Sequence, residues 1–136
     1  MYESFDHTAD VGLRIWAHDL DVLFSEAGKG LAALIVEDPS NIRPAERAEF
    51  HIPGRQTDYL LFDWLNELLF QFESEQRLFW QFDVRVTDQG LDGTGFGEVF
   101  DADRHGMSHE VKAITYHGLQ VKVGPDGWLA EVIVDI

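Results

Sequence analysis

Residues 6–12 have the sequence DHTADVG and separate two short apolar segments. Asp, Thr and Gly favour a turn here, because short polar side chains hydrogen bond to nearby backbone groups and Gly tolerates positive φ. The stretch also places Asp6, His7 and Asp10 within five positions. Carboxylate oxygens and imidazole nitrogens are groups that divalent cations use as ligands. Taken alone, the stretch fits an Asx-type turn better than a cation site, and both interpretations stay open at this point.

The segments on either side of residues 6–12 have strand patterns. The first predicted strand is Tyr2 to Phe5, and the second is Gly12 to His18. In the second, apolar and polar positions alternate, which is typical of a strand with one buried face. One face would carry Leu13, Ile15 and Ala17, and the other Arg14, Trp16 and His18.

A first helix is predicted from Asp21 to Val36, where apolar residues recur at three- and four-residue steps. Asp19 and Asp21 are its candidate N-cap acceptors. Gly28 and Gly30 weaken the helix but would let it pack closely on a sheet.

A second helix is predicted from Asp58 to about Glu73, with Thr57 as its N-cap. Its apolar face is expected to be broad, and both helices are expected to cover one sheet. The predicted members of that face are Leu60, Leu61, Phe62, Trp64, Leu65, Leu68, Leu69, Phe70 and Phe72.

The rest of the chain has mainly strand patterns. Strands are predicted at Ala45 to Ile52, Leu78 to Thr87, Leu91 to Phe100, Glu110 to Val123 and Trp128 to Asp135. The three glycines of residues 91–97 predict bulges, and residues 101–108 are expected to be a polar loop. Together these elements predict an α+β fold. We expect one two-layer domain over residues 1–136, with two helices packed on a mostly antiparallel sheet of about seven strands.

Composition excludes several functional classes. The chain has 136 residues, 45% of them hydrophobic, and no cysteine, so thiolate metal sites and cysteine nucleophiles are absent. No apolar run approaches the ~20 residues of a membrane helix, and we expect a cytoplasmic protein without membrane contact. The formal net charge of −15 disfavours strong direct nucleic-acid binding, since such a surface repels phosphates. An acidic surface favours cations or a basic protein partner, although salt adaptation would also explain it.

Few residues have the spacing of a catalytic or metal site. His105 and His109 have the i, i+4 spacing of helical metal ligands, but Gly106 makes a helix there doubtful. No sequence context predicts a nucleophile or a paired acid and base. The final residues, VIVDI, form a predicted strand that ends on Asp135, followed by Ile136. If this strand pairs beside the first ones, Asp135 would approach Asp10.

Four separated motifs resemble the archease family, and the resemblance spans essentially the whole chain. They are DHTADVG near the start, LLFDWLNELLFQF in the second helix, EVKAITYHGLQV late in the chain, and the terminal VIVDI. Archeases are accessory proteins of the RtcB-type RNA ligase. That ligase joins a 3′-phosphate or 2′,3′-cyclic phosphate RNA end to a 5′-hydroxyl in tRNA splicing and RNA repair, with GTP and manganese. The resemblance therefore implies a non-enzymatic protein that promotes guanylylation of the ligase and restores multiple turnover.

The resemblance also implies a divalent-metal site near a tip built from the first motif and the C-terminal residues. Calcium occupies this site in some members, and manganese and magnesium are alternatives. The implied ligands are Asp10, Asp135 and a backbone or terminal oxygen of Ile136, with Asp6 less certain. Lys112 lies in a matching motif and would contribute to the partner interface. Two other functions stay open, namely a general chaperone-like module for nucleic-acid-modifying proteins and a small metal-dependent hydrolase.

Overall fold

A computed structural model of the chain describes residues 1–7 and 10–136, with only the backbone described at His7. Its strands are β1 (Tyr2–His7), β2 (Asp10–Ala17), β3 (Glu46–Pro53), β4 (Arg77–Thr87), β5 (Gly90–Val99), β6 (Ala113–Ile114), β7 (Gln120–Gly124) and β8 (Gly127–Asp135). Its helices are α1 (Leu20–Ile35), α2 (Thr57–Glu75) and the short α3 (Ala102–His105), with a 3-10 turn at Pro39–Asn41. The predicted α+β class is confirmed.

The described strands form two antiparallel sheets. The larger has the order β1-β2-β8-β6, and β7 continues along the same edge of β8 that β6 occupies. The smaller has the order β3-β5-β4. The predicted single sheet of about seven strands is therefore corrected to two sheets, with eight strands in the described part of the chain. Alternation of apolar residues indicates which face of a strand is buried, but it does not indicate which other strand pairs with it.

Helix α1 lies between the two sheets. A Cβ atom at Gly28 would lie 2.7 Å from the ring of Phe82 in β4, and one at Gly30 would lie 2.8 Å from Leu13 in β2. Both distances are shorter than normal carbon contacts. The two glycines therefore let α1 approach one sheet on each of its two sides. The sequence predicted close packing on a single sheet, whereas α1 packs closely on both.

Asp19 and Asp21 have separate roles at the start of α1. Asp19 is the N-cap, because its carboxylate accepts a hydrogen bond of 2.9 Å from the backbone N–H of Val22. The carboxylate of Asp21 instead accepts the backbone N–H of Val86 in β4, at 2.8 Å. This hydrogen bond connects the first turn of α1 to the smaller sheet.

Helix α2 is anchored by Trp64. Its side chain is fully buried, packs edge to face on Phe50 with ring centroids 5.2 Å apart, and donates a hydrogen bond of 2.9 Å from Nε1 to the carbonyl oxygen of Phe24 in α1. The predicted Thr57 cap is wrong, since the N-cap is Gln56 and its side chain makes no capping hydrogen bond. Phe70 was also predicted to be buried, but 58% of it is exposed.

The glycines of β5 make room for neighbouring groups. The register irregularity of this sheet lies in β4, between Phe79 and Gln81, and not in the glycine segment where bulges were predicted. A Cβ atom at Gly95 would lie 2.9 Å from the ring of Phe79, and one at Gly97 would overlap the carbonyl oxygen of Leu78. Position 97 therefore needs glycine because backbone, not a movable side chain, fills the space.

Two later segments also differ from their predictions. Residues 101–108 were predicted to be a loop but contain the one-turn helix α3. The strand predicted from Glu110 to Val123 is divided into β6 and β7, with a turn between them. A strand as short as β6 has too few residues to show an alternating pattern, so the sequence does not indicate where it begins and ends.

Gly97→Ala tests the packing of the smaller sheet. We expect a loss of about 2–3 kcal/mol in the free energy of unfolding, because the added methyl group must displace the β4 backbone. Gly124→Ala is the matched control, since the nearest atom to a Cβ there is 3.9 Å away. Urea unfolding of both variants measures the difference. Equal stability of the two variants would contradict the described approach of β5 to β4.

Candidate functional site

Asp10 and Asp135 lie directly opposite each other in the pairing of β2 with β8. In the same register, His7 of β1 lies opposite Asp10, and Ala113 of β6 lies opposite Asp135. Residues directly opposite in antiparallel strands lie on the same face, with Cβ atoms about 5 Å apart. These four positions, here called the end row, cross the larger sheet at one end. The expectation that Asp10 and Asp135 approach each other is confirmed.

The next row on that face is apolar. Phe5 lies opposite Gly12, which in turn lies opposite Ile133. A Cβ atom at Gly12 would overlap the ring of Phe5, so this ring lies directly over the glycine. Ile133 is buried although it is on the outer face. The carboxylates of the end row therefore border an apolar surface on one side, and electrostatic attraction to a cation is stronger where water is excluded.

Arg14 holds the third row together. Its guanidinium group donates hydrogen bonds to Glu3 at 2.7 Å and to Glu131 at 2.8 Å, and its Cζ lies 4.7 Å from the centre of the Phe5 ring. The hydrogen bond from Arg14 lowers the pKa of Glu131. Arg14 thus pairs with the acidic groups beyond Phe5 and helps to position that ring. Sequence analysis placed Arg14 on this face but predicted no role for it.

The late motif meets the C-terminal motif along β6. The backbone N–H of Lys112 donates a hydrogen bond of 2.8 Å to the carbonyl oxygen of Asp135. Thr115 binds the carbonyl oxygen of Ile133 with its backbone N–H, at 3.1 Å, and its side-chain hydroxyl, at 2.9 Å. The Lys112 side chain is exposed. Main-chain contacts therefore fix the end of β8 while leaving the Lys112 ammonium group accessible.

The other predicted ligands differ in their placement. Asp6 lies opposite Val11, whose buried side chain points to the core face, so Asp6 is not on the face that carries Asp10. Ile136 is half-buried and packs on the core. Thr8 and Ala9 of the predicted turn lie outside the described residues. The backbone of His7, which sequence analysis named as a donor but left out of the ligand set, pairs opposite Asp10.

The donor set of the end row suits a hard cation. Among the described side chains, those of residues 1–6 and 10–136, no three or more of His, Asp or Glu lie close enough together to hold a metal ion. Two carboxylates with main-chain oxygens and water are nevertheless a normal ligand set for calcium or magnesium.

A partly buried charge cluster anchors the segment that leads to β6. Glu98 accepts hydrogen bonds from both terminal nitrogens of Arg104, at 2.6 and 2.8 Å, and from the backbone N–H of Arg43 at 2.8 Å. These donors, Arg104 above all, lower the pKa of Glu98 to about 2. Backbone hydrogen bonds from Ser108 and His109 to the end of α1 continue the attachment.

His105 belongs to this cluster and is not a metal ligand. Its Nδ1 accepts the backbone N–H of Asp101 at 2.9 Å, so its Nε2 carries the hydrogen and donates to Glu98, also at 2.9 Å. Both ring nitrogens are therefore used. Helix α3 ends at His105, so His109 is not on a shared helical face. The considered metal pair of His105 and His109 is wrong for these two reasons.

Comparison with known proteins finds relatives along the whole chain. The model of the Archease protein family (MTH1598/TM1083) matches residues 2–136. The chain belongs to the archease family. The protein archease of Methanopyrus kandleri is 38% identical over 99% of both chains. That of Sulfurisphaera tokodaii is 33% identical and covers 99% of this chain and 98% of its own.

Solved structures agree with this family assignment. The solution structure of Methanobacterium thermoautotrophicum protein 1598 has a TM-score of 0.82 and 33% identity, covering 99% of this chain and 98% of that one. A crystal structure from Thermotoga maritima, described as an archease and possible chaperone, has a TM-score of 0.68 over 100% and 98% of the two chains. Its 21% identity supports the fold alone. In the described part of the chain, no helix is long and apolar enough to cross a membrane.

Glu98→Gln tests the charge cluster. Because the pKa of Glu98 is depressed to about 2, ionised Glu98 stabilises the fold above pH ~4.5, and this contribution is lost as the pH falls toward 2. We expect the variant to lose about 2 kcal/mol of unfolding free energy at pH 7 and progressively less below pH 4.5.

Urea unfolding across this pH range measures the effect. Glu49→Gln is the control, because the Glu49 side chain is 75% exposed and forms an ion pair with exposed Arg47. We expect a change within about 0.5 kcal/mol at each pH for this control. A deficit of Glu98→Gln that does not depend on pH would contradict the account.

Proposed function

We propose that this protein activates an RtcB-type RNA ligase, promoting ligase guanylylation and multiple turnover through a divalent cation held at the end row. The proposal includes a cytoplasmic location and no catalysis by this chain itself. It rests on family membership together with the arrangement of the four motifs.

The observation that carries the proposal is the convergence of three motifs at one end of the larger sheet. Residues 6–12 supply Asp10, the VIVDI segment supplies Asp135, and the late motif supplies β6 and Lys112. The fourth motif forms much of α2, and its Trp64 has a structural role in the core. Two carboxylates placed opposite each other at a sheet end offer the anionic oxygens that a divalent cation binds.

Asp10 and Asp135 would hold the cation, with main-chain oxygen from Ile136 and water completing its ligands. A hard cation is stabilised by anionic oxygens held close together, because binding relieves their mutual repulsion. The side chain of Ile136 packs on the core and restricts the motion of its main chain. When bound, the cation supplies positive charge that a phosphate or carboxylate of the partner complex can contact. The exposed Lys112 ammonium group would add a second positive charge there.

The net charge of −15 supports a protein partner over RNA. An acidic protein is attracted to the basic surface of an RNA-binding enzyme and repelled by RNA itself. A general chaperone-like function is the second candidate, and the description of the Thermotoga maritima archease as a possible chaperone favours it. A hydrolase function has less support, because no sequence context predicts a nucleophile or a paired acid and base.

The direct test is a ligation time course with the cognate ligase and excess RNA, with and without catalytic amounts of this protein. We expect faster guanylylation and several ligations per ligase molecule. Unrelated RNA-modifying enzymes should not be stimulated, whereas a general chaperone would stimulate them as well. An unchanged guanylylation rate with both manganese and magnesium would overturn the proposal.

Asp10→Asn and Asp135→Asn separate binding from folding. Each substitution keeps the shape of the side chain but removes a charge that the cation needs, so we expect at least about tenfold weaker metal binding and loss of ligase activation. Asp126→Asn is the control, because Asp126 is exposed in the turn at the other end of β8. Calorimetric metal titration and ligation measure the two effects, and thermal unfolding checks the fold. Normal ligase activation by both end-row variants would show that the two carboxylates have a structural role in the turn and the strand end and no role in activation.

Salt dependence tests the charge argument. Attraction between exposed charges is screened over about 8 Å at physiological salt. We therefore expect the association rate with the ligase to fall by about tenfold or more from low to physiological ionic strength. Stopped-flow association measures the rate. A rate that does not change with salt would indicate that apolar contacts, not charge, guide association.

A further inference from the structure

The solvent-facing side of α2 carries large aromatic residues. Tyr59, Asp63, Asn66, Phe70 and Glu73 recur at steps of four, three, four and three, and therefore lie along one side of the helix. Tyr59 is 51% exposed and Phe70 is 58% exposed. This set is here called the α2 face. Its exposed rings do not contribute to the core, so the fold does not explain them.

Tyr116 extends the α2 face toward the end of the larger sheet. Its ring stacks on that of Phe62, with centroids 3.9 Å apart and an interplanar angle of 16°, and meets Tyr59 edge to face at 5.8 Å. Tyr116 itself is 58% exposed. It follows β6 by two residues, so the aromatic cluster is continuous with the strand that borders Asp135.

Helix α2 has an unbalanced charge. Thr57–Glu75 contains five carboxylates and no lysine or arginine. Among the described residues, an ion pair involves only one of the five, Glu75, which meets Arg77 at 3.2 Å. The last turn has no basic residue to interact favourably with the negative end of the helix. An external cation would therefore lower the repulsion along this helix.

Two open grooves flank the α2 face. One, of about 610 Å³, lies between α2 and the edge strand β3 and is lined by Pro53, Asp63, Glu67 and Phe70, among others. The second, of about 270 Å³, is lined by Asp58, Tyr59, Tyr116 and Leu119. In both grooves a carboxylate lies beside an aromatic ring. Surfaces of this composition accept groups that are both cationic and planar.

We propose that the α2 face with Tyr116 is a docking surface for an arginine-rich segment of a partner protein. The guanidinium group of arginine stacks on aromatic rings and forms paired hydrogen bonds with carboxylates. Lysine matches this surface less well, because its compact ammonium group is more strongly hydrated. Nucleic acid also presents planar groups, but its phosphates are repelled by the carboxylates that line both grooves.

This docking surface goes beyond the proposed ligase activation and needs neither a bound cation nor the ligase. The end row is formed by β1, β2, β8 and β6, whereas the α2 face lies on the helix. A failure at one of the two surfaces is therefore distinguishable from a failure at the other.

The test uses short synthetic peptides of alternating arginine and glycine, with lysine versions of the same length. Titration into the isotope-labelled protein is followed by amide chemical shifts. We expect the largest shifts around Tyr59, Asp63, Phe70 and Tyr116, and about fivefold or tighter binding of the arginine peptide over the lysine peptide. Largest shifts on the outer face of the larger sheet, or no binding at low salt, would overturn the proposal.

Matched variants test which side chains act. The double variant Phe70→Ser and Tyr116→Ser removes two exposed rings and should weaken the arginine peptide by about tenfold. Val123→Ser is the control, since Val123 is 64% exposed beside the turn between β7 and β8 and is not among the residues that line either groove. Circular dichroism shows whether the variants are folded. The shift mapping uses the unsubstituted protein, so it tests the proposal even if a variant does not fold. Equal weakening by both variants would mean that the surface attracts arginine by net charge alone.

A short single-stranded RNA serves as the competing probe. We expect no shifts at Tyr59 or Tyr116 with RNA at physiological salt, because the adjacent carboxylates repel its backbone. RNA binding at these residues, with displacement of the arginine peptide, would overturn the proposal in favour of a base-stacking surface.

Discussion

The antiparallel register of β2 with β8 is the constraint on which the rest of the molecule depends. Side chains alternate faces along a strand, so a slip of one residue would move every side chain of β8 to the other face relative to β2. Val11, Leu13 and Ile15 would then lie opposite outward-facing residues, and the buried face of the sheet would be lost. The same register places Asp10 opposite Asp135. Burial of the core therefore determines the geometry of the end row.

Packing maintains that register from both faces of the sheet. On the inner face, Gly30 lets α1 approach Leu13 closely, and α1 is itself held to the smaller sheet through Gly28. On the outer face, Phe5 lies over Gly12, and Arg14 links β1 to β8. The carboxylates thus lie on a part of the sheet supported on two sides. A cation site gains from such support, since ligands already held in place lose less entropy on binding.

Much of this fold could be predicted from the sequence. Period-two alternation located β2, and an apolar run located β8. Helical spacing located α1 and α2 to within about two residues. Division of the strands into two sheets could not be predicted, because strand patterns contain no information about pairing partners. Phe70 was misjudged because its apolar character and spacing resemble those of core residues. A helix that contacts two sheets has a wide buried side, and the limit of that side is set by tertiary packing.

The candidate site was predictable in part. Motif resemblance brought Asp10 and Asp135 together as ligands, and the register supports their proximity. Asp6 was included because it lies in the matching first motif, yet on β1 it lies opposite Val11, so it is on the face opposite to that of Asp10. The role of His105 was also hidden, since its partners Asp101 and Glu98 are brought to it by a helical turn and a strand end. Short-range contacts of this kind depend on backbone geometry that residue type alone does not specify.

The central claim is that the end row holds a divalent cation between two carboxylates. Crystals grown with manganese, measured for anomalous scattering near the manganese edge, test it most directly. The account predicts a strong anomalous peak within coordination distance of the carboxylate oxygens of both Asp10 and Asp135. No peak between them at saturating manganese, or a peak elsewhere on the surface, would contradict it.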